Sequence, residues 1–283
     1  MRYPALVLIG LFAFSAAAAE PEWRPLWNGK NLDGWEMYLA KPDRTWNVPG
    51  LKRDAAGNYL EPIGANRDPL NVFTVERVDG QPAIHVSGQG FGVISTRESL
   101  RNFHLRLQVK WGERKWGSKL NSPRDCGLLY FVHGPQGFDH GTWPRSVEFQ
   151  IQEHDMGDLY ALATQITVPA TQRGKLWLYD PQGTPTLFVQ KAPIGNRCVK
   201  FGDPELPNGE WNTLDLICVG ADSVHVVNGK VVMRLYRAER IDGDAPVPLN
   251  SGAIALQTEG AEVYYRNVEV RSIDAVPAEW AEK

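Results

Sequence analysis

The chain has 283 residues, and its 30 Lys and Arg nearly balance 33 Asp and Glu, for a net charge of −3. Such a balance leaves no basic footprint for nucleic acid. With 10 Trp, 27 Gly and 20 Pro, the composition favours short strands joined by many turns over a helical bundle.

In chain order, residues 1–19 read as a signal peptide. Arg2 gives a positive start, residues 5–14 are apolar, and Ala16 to Ala19 offer small residues to a signal peptidase. The run is too short for a membrane span, and no later segment is long and apolar enough to be one. No Cys closes the leader, which argues against a bacterial lipid anchor. The chain is therefore expected to be exported, periplasmic or extracellular, with residues 20–283 forming a single β domain.

Residues 36–70 are rich in Pro, Gly and Asn and poor in pattern, so an ordered loop region with one or two short strands is expected there. From His104 to Trp111, Leu105, Leu107, Val109 and Trp111 alternate with polar residues, the period of a half-buried strand. Gly127 to His133 is almost wholly apolar, as in a strand covered on both faces. Further strands are predicted over 213–219, 223–227, 230–236, 252–257 and 263–271. Asn228-Gly229 separates two of them by two residues, a strong hairpin mark. Pro181-Gln182-Gly183, Gly202-Asp203-Pro204 and Pro207-Asn208-Gly209 signal other turns. No long segment sustains helical periodicity, so helices should be few and short. Closely spaced strands of this kind predict an all-β, two-sheet antiparallel sandwich. Trp27, Trp35 and Trp211 are assigned to its core, and the Asn-Gly pairs at Asn28 and Asn228 to turns. The cations between Lys110 and Lys119 read as a solvated loop.

The stretch from Val147 to Gln152 carries the most information. Val147, Phe149 and Ile151 alternate with Glu148, Gln150 and Gln152, so one face of this strand is apolar and the other holds a carboxylate flanked by amides. An ordinary solvated face would more often carry Lys, Thr and Ser, and this one reads as the floor of a polar groove. Three cysteines, Cys126, Cys198 and Cys218, allow at most one disulfide within the chain, and the sequence does not select the pair. None has a context that suggests an activated thiol.

Several motifs in one order resemble the 3-keto-disaccharide hydrolase domain family, long catalogued as a domain of unknown function. They begin with Leu26-Trp27-Asn28-Gly29-Lys30-Asn31-Leu32-Asp33-Gly34-Trp35. Phe103 to Trp111, Arg124 to Tyr130 and Trp143 to Asp158 follow. The series continues with Gly209-Glu210-Trp211-Asn212-Thr213, Val227 to Lys230, Gly252 to Gly260 and Arg266-Asn267-Val268. Similar chains adopt a concanavalin A-like, jelly-roll sandwich, in agreement with the alternation. His154 stands where the family often carries a small residue; it can add a site ligand or base, or only reshape a loop.

The resemblance implies a glycoside already oxidised at C3 of its sugar ring by a separate sugar dehydrogenase. The C3 ketone acidifies the C2 proton; a base removes it, the C1 group leaves by β-elimination, and water adds to the glycal-like product. Such chemistry needs a base, a donor to the enolate oxygen and an acid or cation near the leaving group. Glu148 is the first candidate for the base, with Gln150 beside it to hold a sugar hydroxyl or the carbonyl oxygen. Arg124 and Arg145 can bind oxyanions, His133 can shuttle a proton, and Tyr130 and Trp143 can serve as platforms for a sugar ring. Asp155 and Asp158 can complete a divalent-metal cluster with Glu148, or simply fix the turn at Gly157; no other cofactor is implied. Each residue also has a structural reading, such as a Glu148–Arg145 ion pair or a strand-end His133. Two other functions share the fold. Glu148-x-Gln150-x-x-Glu153 resembles the spaced acids of laminarinase-like glycosidases, although Gln150 replaces an acid and Glu153 reaches the same face only through a bulge. A lectin-like carbohydrate-binding module without catalysis is the third reading.

Overall fold

The computed structural model describes residues 22–242 and 245–282; the expected leader lies outside them. Two antiparallel sheets face each other. An eight-stranded sheet runs in the order Arg197–Cys198, Leu159–Leu162, Arg145–Gln150, Gly127–His133, Ala253–Glu259, Phe91–Thr96, Trp35–Leu39, Gly64–Ala65. We call it the site sheet. Behind it lies a twelve-stranded sheet whose centre is built from Asp222–Val227, Asn212–Val219, Phe103–Lys115 and Ala261–Ser272. Among the described residues the sole helical element is a 3-10 turn, Gly117–Lys119, and no helix is long and apolar enough to cross a membrane. The architecture is a concanavalin A-like β-sandwich.

The alternation read from the sequence decides which side chains enter the layer between the sheets. Leu105, Leu107 and Val109 from the back sheet meet Leu128, Val147, Phe149 and Ile151 from the site sheet, all fully or almost fully buried in one continuous cluster. Trp27 and Trp35 join it. Trp211 does not. It lies partly exposed on the outer face of the back sheet, donating Nε1–H to Asp79 at 2.7 Å, with the Arg266 guanidinium 3.9 Å above its ring. A cation over an aromatic face holds an exposed Trp without a core. Asn228 and Gly229 both take positive φ, 48° and 75°, the pair of left-handed conformations that a two-residue hairpin turn requires.

One polar group crosses the core. His225, on the back sheet, donates Nδ1–H to the Gly157 carbonyl at 3.0 Å and accepts at Nε2 from the Tyr130 hydroxyl at 3.0 Å. Ser223 completes the chain by donating to the Tyr130 oxygen at 2.8 Å. Burial pushes His225 down to about 3, so it stays neutral and keeps this tautomer. Tyr130 is therefore a structural tie between the sheets. The sequence reading of Tyr130 as a sugar platform is overturned: its ring shares the inward parity of Leu128 and is fully buried.

A bulge explains a second displacement. Phe131 has φ +53°, and the register with Arg145–Gln150 shifts between Tyr130 and His133. Tyr130 and Phe131 both turn inward, while Val132 joins Leu129 on the outer face. Beyond such a bulge the alternation is inverted, and His133 loses the face it would have shared with Gly127 and Leu129. Cys126, Cys198 and Cys218 are all buried free thiols, so no disulfide links them.

Replacing Tyr130 with Phe leaves His225 Nε2 without its donor inside the core. We expect a loss of about 1–3 kcal/mol, measured as a lowered denaturant midpoint with an unchanged slope.

Candidate active site

The outer face of the site sheet is divided. Over one part, the loop after His133 covers an apolar patch of Val93, Leu129, Leu162 and Ala255, with Trp143 and Tyr38 packed against it. Tyr38 ties this loop down by donating its hydroxyl to the Gly141 carbonyl at 3.2 Å. Over the other part, polar side chains converge on Gly127. Glu148 is opposite Tyr160 on one neighbouring strand and opposite Leu129 on the other. Gln257 and Glu259 come from Ala253–Glu259, and Glu259 is opposite Phe91. A Cβ at Gly127 would overlap both Glu148 Oε1 and Gln257 Oε1. Only a glycine lets these two side chains lie across the sheet.

The expected open groove floor is instead nearly enclosed, with Glu148 only 4% exposed. Burial first, then the neighbouring Glu259 and Asp125 carboxylates, push Glu148 well above the ordinary carboxylate range, against a hydrogen bond from Gln257. Burial also raises Glu259, with Asp125 adding to the rise and Lys119 opposing it. Asp125 is raised by burial despite its ion pair with Lys119. Lys119 lies 4.0 Å from Glu259 as well. Two of these carboxyl groups share one ammonium and the third, Glu148, is buried beside them, so the group as a whole binds protons more strongly than exposed acids do. Two acceptors there, Asp125 Oδ1 and Gln257 Oε1, are buried with no hydrogen-bond partner. Orphaned acceptors are costly, and a ligand with several hydroxyls would satisfy them.

The sequence-selected residues divide accordingly. Glu148 and Gln150 share the outer face, though Gln150 Oε1 accepts from its neighbour's backbone, Ile151 N–H, at 2.9 Å. Trp143 reaches the same face and stacks on Phe91, ring centroids 6.2 Å apart. Arg124 is committed to Glu153 at 2.6 Å and to the Gly112 carbonyl at 3.0 Å. Arg145 has the parity of Val147 and lies over the Phe138 ring at 3.6 Å. His133 is tied at Nδ1 to the Phe131 carbonyl at 2.8 Å, on the far side of the bulge. None of these three is brought to Glu148: an ion pair holds Arg124, strand parity and the Phe138 ring hold Arg145, and the bulge displaces His133. Glu153 pairs with Arg124 and Asn208, so the spaced acids of a laminarinase-like strand do not form.

Asp155 and Asp158 both turn to Arg197, at 2.8 and 2.7 Å, and Asp158 also accepts from Lys200 N–H at 2.9 Å. The divalent-metal cluster with Glu148 does not assemble, since both aspartates are turned to the Arg197 guanidinium. Among the described residues no group of three His, Cys, Asp or Glu side chains is placed to hold a metal ion. His154 has an 86% exposed side chain; its backbone N–H donates to Glu205 and its carbonyl accepts from Lys200. It shapes a loop.

Four site residues escaped the sequence reading: Gln257, Glu259, Asp125 and Lys119. Gln257-x-Glu259 repeats the polar alternation of Glu148-x-Gln150 and was a usable signal. Tyr160 escaped it too. Its hydroxyl makes no hydrogen bond among the described residues, and the Arg197 guanidinium lies 5.5 Å from its ring centroid.

The profile of the 3-keto-alpha-glucoside-1,2-lyase-like domain matches residues 22–271. The chain belongs to that family. Membership places it among carbohydrate-active proteins. No curated protein is matched by sequence. Among solved structures, a Parabacteroides distasonis protein assigned as a glycosyl hydrolase aligns at 18% identity and a TM-score of 0.47, over 89% of this chain and 94% of that one. Carbohydrate-binding module CBM66 from Bacillus subtilis aligns at 9% identity and a TM-score of 0.41, over 71% and 92%. Bacillus licheniformis β-glucanase aligns at 9% and 0.40, over 91% and 100%. Likeness at this level does not bear on the chemistry of the family member described here.

Two outcomes follow from the geometry. Gly127→Ala should displace Glu148 and Gln257 and lower turnover by about a hundredfold, while circular dichroism stays that of the parent. Because the folded-state pKa of Glu148 lies above its unfolded value, the native state holds the extra proton between the two, and stability falls as pH rises through that interval. Glu148→Gln, which mimics the protonated acid, should therefore raise Tm by roughly 2–4 °C at about pH 8 and leave it nearly unchanged at about pH 4. An equal shift at both pH values would contradict the burial argument.

Proposed function

We propose that the protein is an exported enzyme that cleaves 3-keto-glycosides by β-elimination followed by hydration. The observation that carries this reading is the buried Glu148 lying with the unsatisfied Gln257 oxygen over Gly127, beside Glu259 two residues along the same strand as Gln257; this setting raises both carboxyl groups. Ordinary glycosidases set a low-pKa nucleophile or base against one raised acid. Removing a C–H proton beside a ketone instead favours a base of raised pKa, which binds the proton more strongly.

Glu259 has the more accessible side chain of the two, 21% exposed, and takes the C2 proton. The electron pair moves into the C2–C3 bond and the ketone oxygen becomes an enolate, to which Tyr160 donates its free hydroxyl. Reclosure of the carbonyl expels the oxygen at C1, and buried Glu148 supplies its proton to that leaving oxygen. Water then adds across the unsaturated product, giving free 3-keto-sugar. This exchanges the role first read for Glu148, from base to acid, because burial keeps it protonated. Asp125 and Lys119 hold the charge of the cluster, and Asp125 Oδ1 and Gln257 Oε1 accept sugar hydroxyls. The C3 oxidation comes from a separate sugar dehydrogenase, and the leader expected over residues 1–19 directs export.

Incubation with a 3-keto-disaccharide should release 3-keto-sugar with a transient glycal. Since Glu259 must be ionised to act, and burial raises its pKa, kcat/KM should climb with pH well above the ordinary carboxylate range. Glu259→Gln should lower kcat by about 10²–10⁴ and remove that rise. Near-normal turnover in Glu259→Gln would remove it as the base. Cleavage of an unoxidised β-glucan, or sugar binding with no turnover of either substrate, would overturn the reaction itself.

A further inference from the structure

A cleft of about 530 Å³ opens at the end of the Ala253–Glu259 strand, lined by Trp46, Tyr59, Phe91, Trp116 and Gly260 among others. That volume suits a ring-sized ligand. Its aromatic walls are fixed before any ligand arrives. Trp116 donates Nε1–H to the Ser87 carbonyl at 2.8 Å. The Tyr59 hydroxyl donates to the Trp46 carbonyl at 2.7 Å, and the Trp46 ring lies so close to Gly90 that a Cβ there would sit 3.3 Å from it. Phe91, 37% exposed, is braced from behind by Trp143. Tyr59 is buried beneath Arg53 and only anchors Trp46, but the partly exposed rings of Trp46, Trp116 and Phe91 suit the C–H faces of a sugar, and holding them in place reduces the entropy lost on binding.

The cleft and the carboxyl cluster share a wall. The stem of Lys119 packs against Gly260, where a Cβ would press on it, while its ammonium pairs with Asp125 and approaches Glu259. Phe91, on the cleft side, is the strand partner of Glu259. A group in the cleft is therefore one side chain away from the proton-exchanging acids.

We infer that this cleft is the leaving-group subsite and takes a second pyranose ring, the one attached through oxygen to C1 of the keto sugar. The word leaving-group rests on the proposed function; sugar binding in the cleft does not. The enzyme would then prefer disaccharides to glycosides with a small aglycone.

The test compares a 3-keto-disaccharide with methyl 3-keto-glucoside, and separately titrates maltose, which has no ketone to support elimination. Wild type should favour the disaccharide by about tenfold or more in kcat/KM, equivalent to about 1.4 kcal/mol. Trp46→Ala and Trp116→Ala, each checked by thermal melting, should erase that preference through KM and weaken maltose binding by a similar factor. Turnover without any preference, or a preference intact in both folded variants, overturns the inference. Maltose binding that both substitutions weaken, with no turnover of either keto substrate, upholds the cleft as a sugar site and removes the reaction proposed above.

Discussion

Asp125 and Glu259 share the ammonium of Lys119, and the buried Glu148 lies near enough to both acids to feel their charge. Charge of one sign in a dry setting cannot all be expressed, so the group keeps protons that exposed acids would lose. This constraint makes the site chemically unusual. It places two carboxyl groups of raised proton affinity side by side on one face of the sheet. The arrangement also leaves two buried acceptors, Asp125 Oδ1 and Gln257 Oε1, without a hydrogen bond from the protein.

The sandwich serves this cluster by subtraction as much as by placement. Gly127 has no side chain where Glu148 and Gln257 must lie. The bulge at Phe131 takes His133 off the outer face, leaves Val132 on it, and turns two aromatic rings into the core. On the opposite side of the sheet, His225 and Tyr130 hold the turn at Gly157 against the back sheet. Arg197 gathers Asp155 and Asp158, so those acids are held away from Glu148.

One acid of the site, Glu148, was legible in the sequence. Period-two alternation set Glu148 and Gln150 against Val147 and Phe149, and the same rule applied to Gln257 and Glu259 would have brought in the second acid. Lys119 was hidden among cations that read as solvent-facing, because a short turn rather than a strand carries it. Arg124, Arg145 and His133 were chosen for their chemistry, yet each has a local partner that no motif spacing discloses. Tyr130 failed for a related reason: in a strand apolar on both faces, alternation gives a parity without saying which side is inside.

By itself, the sequence determined the central strands, the Asn228-Gly229 hairpin, the two-sheet class and the family, because each depends on neighbours within a few residues or on motif order; strands such as Phe73–Val78, Phe91–Thr96 and Gln165–Arg173 went unread. Only the tertiary structure decided which acids meet, which remain protonated, and which arginines are already occupied. Those properties depend on burial and on contacts between residues far apart in the chain, such as Glu148 with Glu259 or His225 with Gly157. Local pattern can orient a side chain, but only the assembled sheets remove the water that changes its chemistry.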